Sequence, residues 1–147
     1  MFDYENYEIE CERIRASNNE LLEMFKNDLE LAGLSEKTIR SHISNVDFYI
    51  NEYLLREDVH PMEDGVGMVD SFLGYFFIRK CMWSTPSTIK STAASIKKFY
   101  KCMLDHGKIQ KAEFDYLRSE IKENMENWQA DCAMYNDSDE ENPFDWF

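Results

Sequence analysis

Apolar residues recur along most of this chain at steps of three and four. The clearest run lies between Thr85 and Gly107, where Ile89, Ala93, Ile96, Tyr100 and Met103 follow steps of four, three, four and three. At about 100° per residue these positions form one stripe on a helix. Thr85 is placed to cap that helix, Pro86 to fill its first position and Gly107 to stop it in a left-handed conformation. Lys90, Lys97 and Lys101 fall within roughly 40° of one another, about a quarter turn from the apolar stripe. Lys98 lies to one side of them.

The same periodicity predicts the other elements. Ser17-Asn18-Asn19-Glu20 has the form of a capping box, so a first helix is expected from Ser17. It carries Leu21, Leu22, Phe25, Leu29 and Leu31 and closes at Gly33. Residues 1–16 precede it as an acidic arm with scattered aromatics. Ser35 is a cap for a second helix over 36–55, with Ile39, Ile43, Val46, Ile50, Tyr53 and Leu54 on its apolar side. Lys37, Arg40, Ser41 and Ser44 gather on the opposite side, with His42 and Asn45 nearby. Residues 56–67 hold Pro61, Gly65 and Gly67 and are expected to be a loop. Met68, Val69, Phe72, Leu73, Phe76, Phe77 and Cys81 then give a third helix with a broad apolar face, expected at the centre of the core with Phe76 as its anchor. Phe114, Leu117, Ile121, Met125, Trp128 and Cys132 predict a further helix over 110–135. The segment 136–147 has five acidic and no basic residues, so it is expected to be disordered alone. Its Phe144, Trp146 and Phe147 form a candidate docking motif. The expectation is an all-α, compact bundle of four to five helices centred on residues 17–109, with an added C-terminal helix.

Composition supports that class. The chain of 147 residues is 44% hydrophobic and 14% aromatic, with five Gly and three Pro, which suits one helical domain with a real core. No basic N-terminal region leads into an apolar run, and no apolar run approaches the 18 or so residues of a membrane span. A cytoplasmic protein without a membrane partner is therefore expected. Cys11, Cys81, Cys102 and Cys132 contain no Cys-x-x-Cys, and His42, His60 and His106 are not paired with them at zinc-like spacing. Reduced thiols, no metal and no cofactor are expected.

Charge changes the picture. The chain carries a formal −13, yet residues 85–109 hold five basic side chains and one acidic. One explanation is a solvated face whose lysines balance acidic neighbours. The other is an anionic partner such as a nucleic-acid backbone.

Two stretches carry a family likeness. Phe25 to Val46 reads as a helix, a short turn with Ser35-Glu36-Lys37-Thr38, then a long helix. Ser84 to Ile109 leads from a Ser/Thr-rich cap through Ile96-Lys97-Lys98-Phe99-Tyr100 to Gly107-Lys108-Ile109. Residues 18–109 resemble the N-terminal core-binding, SAM-like domain of phage integrases and other tyrosine recombinases. The resemblance implies half of a clamp around duplex DNA, with the second and fourth helices toward it. The candidate DNA-binding residues are then Lys37, Thr38, Arg40, Ser41, Ser44, Ser87, Lys90, Ser91, Lys97, Lys98 and Lys101. Lysines would sit on phosphates while hydroxyls add short hydrogen bonds. That family's nucleophilic tyrosine works with arginines and a His-x-x-Arg element on a following domain. None of the three histidines here begins such an element.

The expected function is a non-catalytic DNA-binding module associated with DNA integration or recombination, meeting duplex DNA weakly or together with a recombinase. The alternative is an acidic protein-interaction or DNA-mimic module acting on a recombinase or another DNA-binding protein.

Overall fold

The structure, a computed structural model, describes residues 3–145 and the side chains of residues 3–137. Helices and short connections make up the described residues, and no strand occurs among them. The six α-helices are α1 (Tyr4–Leu31), α2 (Glu36–Asp47), α3 (Val69–Ser71), α4 (Phe77–Lys80), α5 (Pro86–Asp105) and α6 (Lys111–Asp145). A π-helical segment, Phe48–Tyr53, prolongs α2, and another, Phe72–Phe76, joins α3 and α4 into one rod. The all-α bundle expected from periodicity is therefore the fold.

Helix α1 begins well before Ser17. Asp3 caps it by accepting from the Asn6 amide at 3.2 Å. The stretch 1–16, expected as an arm, is thus helical from Tyr4 onward. The reason is a continuous stripe: Tyr7, Cys11, Ile14, Asn18, Leu22, Phe25 and Leu29 step by four, three, four, four, three and four. Cys11 and Ile14 pack with Leu55, with Tyr7 and Val59 at the edge. The Tyr7 hydroxyl donates to the Leu55 carbonyl. A local capping pattern at Ser17 cannot stop a helix whose next turn upstream also has something to bury.

The two sharp turns have the same construction. Gly33 (φ 83°) ends α1 with Leu34 N donating to Leu29 O, and Gly107 (φ 72°) ends α5 with Lys108 N donating to Met103 O. Both are Schellman closures, which need the left-handed conformation that glycine adopts freely. At its other end α5 has the expected cap: Thr85 accepts from the Thr88 amide, Thr88 returns the bond, and Pro86 opens the helix.

Helix α5 packs against α1, α2 and α6. Ile89, Ala93, Ile96, Tyr100 and Met103 are all buried, as their spacing predicts, and Thr92, Ser95, Phe99 and Cys102 widen the buried face. Phe25 meets Phe99 edge-on at 5.5 Å between ring centroids. The Tyr49 and Tyr100 hydroxyls donate to the Gly65 and Met62 carbonyls at 2.6 and 2.7 Å, tying the 3-10 turn Met62–Gly67 to the core.

The third apolar face needs correcting. Phe76 is partly exposed and lies under the Arg56 guanidinium, 4.6 Å from ring centroid to carbon. Phe77 and Ile78 occupy the buried positions instead. The cause is the π segment, in which the Phe77 amide donates to the Phe72 carbonyl five residues back. Buried pairs therefore recur at a spacing of five, Phe72-Leu73 then Phe77-Ile78. The prolongation of α2 repeats the device with Tyr49-Ile50 and Leu54-Leu55, leaving Tyr53 half-buried; Ile43, expected in the core, is half-buried on the regular part of α2.

Helix α6 covers the bundle through Phe114, Leu117, Ile121, Trp128 and Cys132, the expected stripe except for Met125, which is half-buried. It runs beyond the expected end at 135, and Asn136 Nδ2 reaches the Ser84 carbonyl at 2.9 Å. The backbone of the segment expected as a disordered tail is helical up to Asp145. Trp146, Phe147 and the side chain of Phe144 lie outside the described residues.

Candidate nucleic-acid interface

A groove of about 740 Å³ opens between α2 and α5. Ile39 and Val46 turn inward from α2, so the opposite side of that helix is left to form the wall. Ser35 caps it by accepting from the Thr38 amide at 3.2 Å, which fixes Lys37 and Thr38 in its first turn. The groove is lined by Lys37, Thr38, Arg40, Ser41, His42, Ser44 and Asn45 from α2 and by Ser91 and Ser95 from α5. It thus brings together six of the eleven predicted residues: Lys37, Thr38, Arg40, Ser41, Ser44 and Ser91.

The floor is a hydrogen-bonded cluster that the spacing of residues did not single out. Ser95, buried on α5, receives Asn45 Nδ2 at 3.0 Å and faces His42 Nδ1 at 2.8 Å. Its hydroxyl donates to the Ser91 carbonyl at 3.2 Å. A serine has one proton to give. With that proton on Ser91 O, His42 Nδ1 must be the donor. Burial, and then the nearby Lys98 ammonium, push the His42 pKa below its usual 6.5. His42, near the polar side of α2 by its spacing, is half-buried and lines the groove. Its partner Ser95 lies 53 positions away, so local spacing could not reveal the pair.

The remaining predicted residues are exposed on α5 but do not line this groove. Ser87, Ser91 and Lys98 share a face within roughly 40°, and Lys98 acts electrostatically on His42. Lys97 instead lines a second hollow, of about 560 Å³, with Arg118, Ser119 and Lys122 of α6. Lys101 is bound to Asp105 at 2.6 Å. The lysine face is therefore divided, with Lys98 toward α2 and Lys97 toward α6.

Among the described residues the groove is free of acids, as is the hollow beside Lys97. Twenty-nine carboxylates are present in the sequence, yet among the described residues none lines the groove. Two fixed cations, an imidazole and five hydroxyls converge there. Such a surface suits anionic oxygens presented in a row: cations neutralise them and hydroxyls donate to them.

A second polar cluster lies at the other end of α5. Asp28 Oδ2 is 3.1 Å from Cys102 Sγ and 2.9 Å from His106 Nε2. Burial, and then the Asp28 carboxylate beside it, push the Cys102 thiol up to about 12. The hydrogen bond from Cys102, and then that from His106, hold the Asp28 carboxyl below its usual range. Cys102 and His106 are one helical turn apart, and Asp28 lies 74 and 78 positions before them, so only the fold brings the three together.

A family model described as phage integrase, N-terminal SAM-like domain matches residues 21–107. The match runs from the second half of α1 to the turn after α5 and contains every residue lining the groove. No curated protein and no solved structure gives a match.

Proposed function

Since this chain belongs to the phage integrase N-terminal SAM-like domain family, we propose that it is a non-catalytic DNA-binding module of a recombination system. Duplex DNA lies with its phosphates along the groove between α2 and α5. Lys37 and Arg40 neutralise phosphates on the α2 side. Thr38, Ser41, Ser44 and Ser91 donate hydroxyl hydrogen bonds to phosphate oxygens. Lys98 flanks the groove, and Ser87, Lys90, Lys97 and Lys101 extend the contact along α5. Phosphate contacts of this kind position a duplex without reading its sequence, so sequence choice falls to a recombinase bound alongside.

The observation that carries this reading is the acid-free groove in a chain of net charge −13. A solvated face that balanced acidic neighbours would mix both signs. The test is a fluorescence-anisotropy titration of duplex DNA at several salt concentrations. About four phosphate contacts give a slope of log K on log salt of about −3 to −4. K37E/R40E should lower affinity at least tenfold and reduce the slope by about two. K97E/K101E should have a smaller effect. Unchanged affinity in K37E/R40E would instead support the protein-interaction reading, built on the acidic remainder of the surface.

A further inference from the structure

Three different metal-binding side chains meet where α1 ends against α5. Cys102 and His106 stand four residues apart, so one helical turn places both on one side of the α5 terminus. Asp28 comes from the last turn of α1. The three donor atoms lie within 4.8 Å of one another. We propose that Asp28, Cys102 and His106 bind a divalent ion of the zinc class and so clasp α1 to α5.

The geometry is close to what such an ion requires. Bonds of about 2.3 Å to sulfur, 2.0–2.1 Å to imidazole nitrogen and 2.0–2.2 Å to carboxylate oxygen set a tetrahedral shell. Within that shell the sulfur–oxygen and nitrogen–oxygen separations are roughly 3.6 and 3.4 Å. The corresponding distances here are 3.1 and 2.9 Å. These two pairs need to part by only about half an ångström, and the sulfur and the imidazole nitrogen already lie within 4.8 Å of each other.

The donor set selects the class of ion. A thiolate is soft and an imidazole is borderline, which favours zinc-like ions over magnesium or calcium. Charge is matched as well, since the Asp28 carboxylate and the Cys102 thiolate together balance a dication. On binding, the Cys102 S–H bond breaks, sulfur keeps the electron pair and bonds the metal, and one proton passes to solvent. His106 gives up to solvent the Nε2 proton it shares with Asp28 and carries its ring proton on Nδ1, which frees the Nε2 lone pair for the metal. Cys102 is buried while His106 is exposed, so the ion has a path in and a water can complete the shell. The nearby Asp105 is held by Lys101 at 2.6 Å. The groove between α2 and α5 shares none of these ligands, so the site stands apart from DNA binding.

The full chain, freed of metal with a chelator, should be titrated with Co²⁺ alone and then with Zn²⁺ alone. One equivalent of Co²⁺ should produce a thiolate-to-cobalt charge-transfer band and the intense visible bands of four-coordinate cobalt. Zn²⁺ should displace it, and should raise the thermal midpoint by about 5–10 °C at a hundredfold excess over Kd. C102S should lose the charge-transfer band while Cys11, Cys81 and Cys132 remain as internal controls. H106A, altering an exposed side chain, should stay folded and bind at least tenfold more weakly. A charge-transfer band that persists in C102S would overturn the proposal. So would a wild-type chain without that band, or H106A binding as tightly as wild type. The last comparison decides the matter even where C102S does not fold.

Discussion

His42 sits where burial, a lysine and the proposed phosphate path converge, and its titration joins all three. In the free protein its pKa is lowered, first by burial and then by Lys98. A histidine with a depressed folded-state pKa binds fewer protons when folded than when unfolded. Its contribution to stability is therefore present above the unfolded value near 6.5 and lost as pH falls through the folded value. A phosphate seated in the groove acts in the opposite direction, because an anion favours the imidazolium. DNA should raise the His42 pKa, so DNA binding takes up a proton and affinity increases as pH falls from 7 toward 5. Imidazole proton shifts measured with and without duplex DNA check this directly. A His42 pKa that does not move on DNA binding would place the phosphates elsewhere. Ser95→Ala removes the acceptor of both His42 and Asn45, and should blunt that pH dependence more than it lowers affinity at pH 7.

At the scale of elements, the two π segments decide which large side chains are anchors. Phe77 is 2% exposed, whereas Phe76 is only partly covered. Phe77→Ala should therefore cost about 3–5 kcal/mol, and Phe76→Ala distinctly less, as read from urea unfolding midpoints. Equal losses would mean that the helix keeps regular α spacing through this stretch. Gly74 provides an independent check on the same segment. A Cβ there would stand 2.8 Å from the Trp128 ring, whose indole nitrogen donates to Asp70 at 2.7 Å. Gly74→Ala should cost about 1–3 kcal/mol by forcing α6 off the π segment. These positions also mark the limit of what periodicity reveals. The α5 stripe and the caps at Ser35 and Thr85 were legible because a regular helix repeats every 3.6 residues and its ends use local hydrogen bonds. The shift from Phe76 to Phe77 was not, because i→i+5 bonding in a short π segment moves the residues after it without a sequence signature of its own. The α2 wall of the groove was legible as a polar face. Its floor was not, since Ser95 looks like any small helical residue until α2 packs against it.

For the whole molecule, the proposed DNA binding has to be reconciled with a net charge of −13. On the proposed reading, screening reconciles the two. At physiological ionic strength the Debye length is about 8 Å, so phosphates in the groove respond to the cations that line it. Acidic side chains on α6, such as Glu123 and Glu126, are exposed and outside the groove, and at that salt they act weakly across the bundle. At about 0.01 M salt the Debye length is about 30 Å, which takes in the whole domain. The DNA then meets the net charge of the chain as well as the groove. Lowering salt strengthens the local contacts by counterion release but also lengthens the reach of the repulsion. Between about 0.1 and 0.3 M the plot of log K against log salt should be linear with a slope of about −3 to −4. Below about 0.02 M it should flatten. Replacing Glu120, Glu123 and Glu126 with Gln should restore the steep slope at low salt and leave affinity above 0.1 M nearly unchanged. A wild-type plot that stays straight down to about 0.01 M would mean that bound DNA does not feel the acidic bulk of the chain, and that screening is not what reconciles the net charge with the groove.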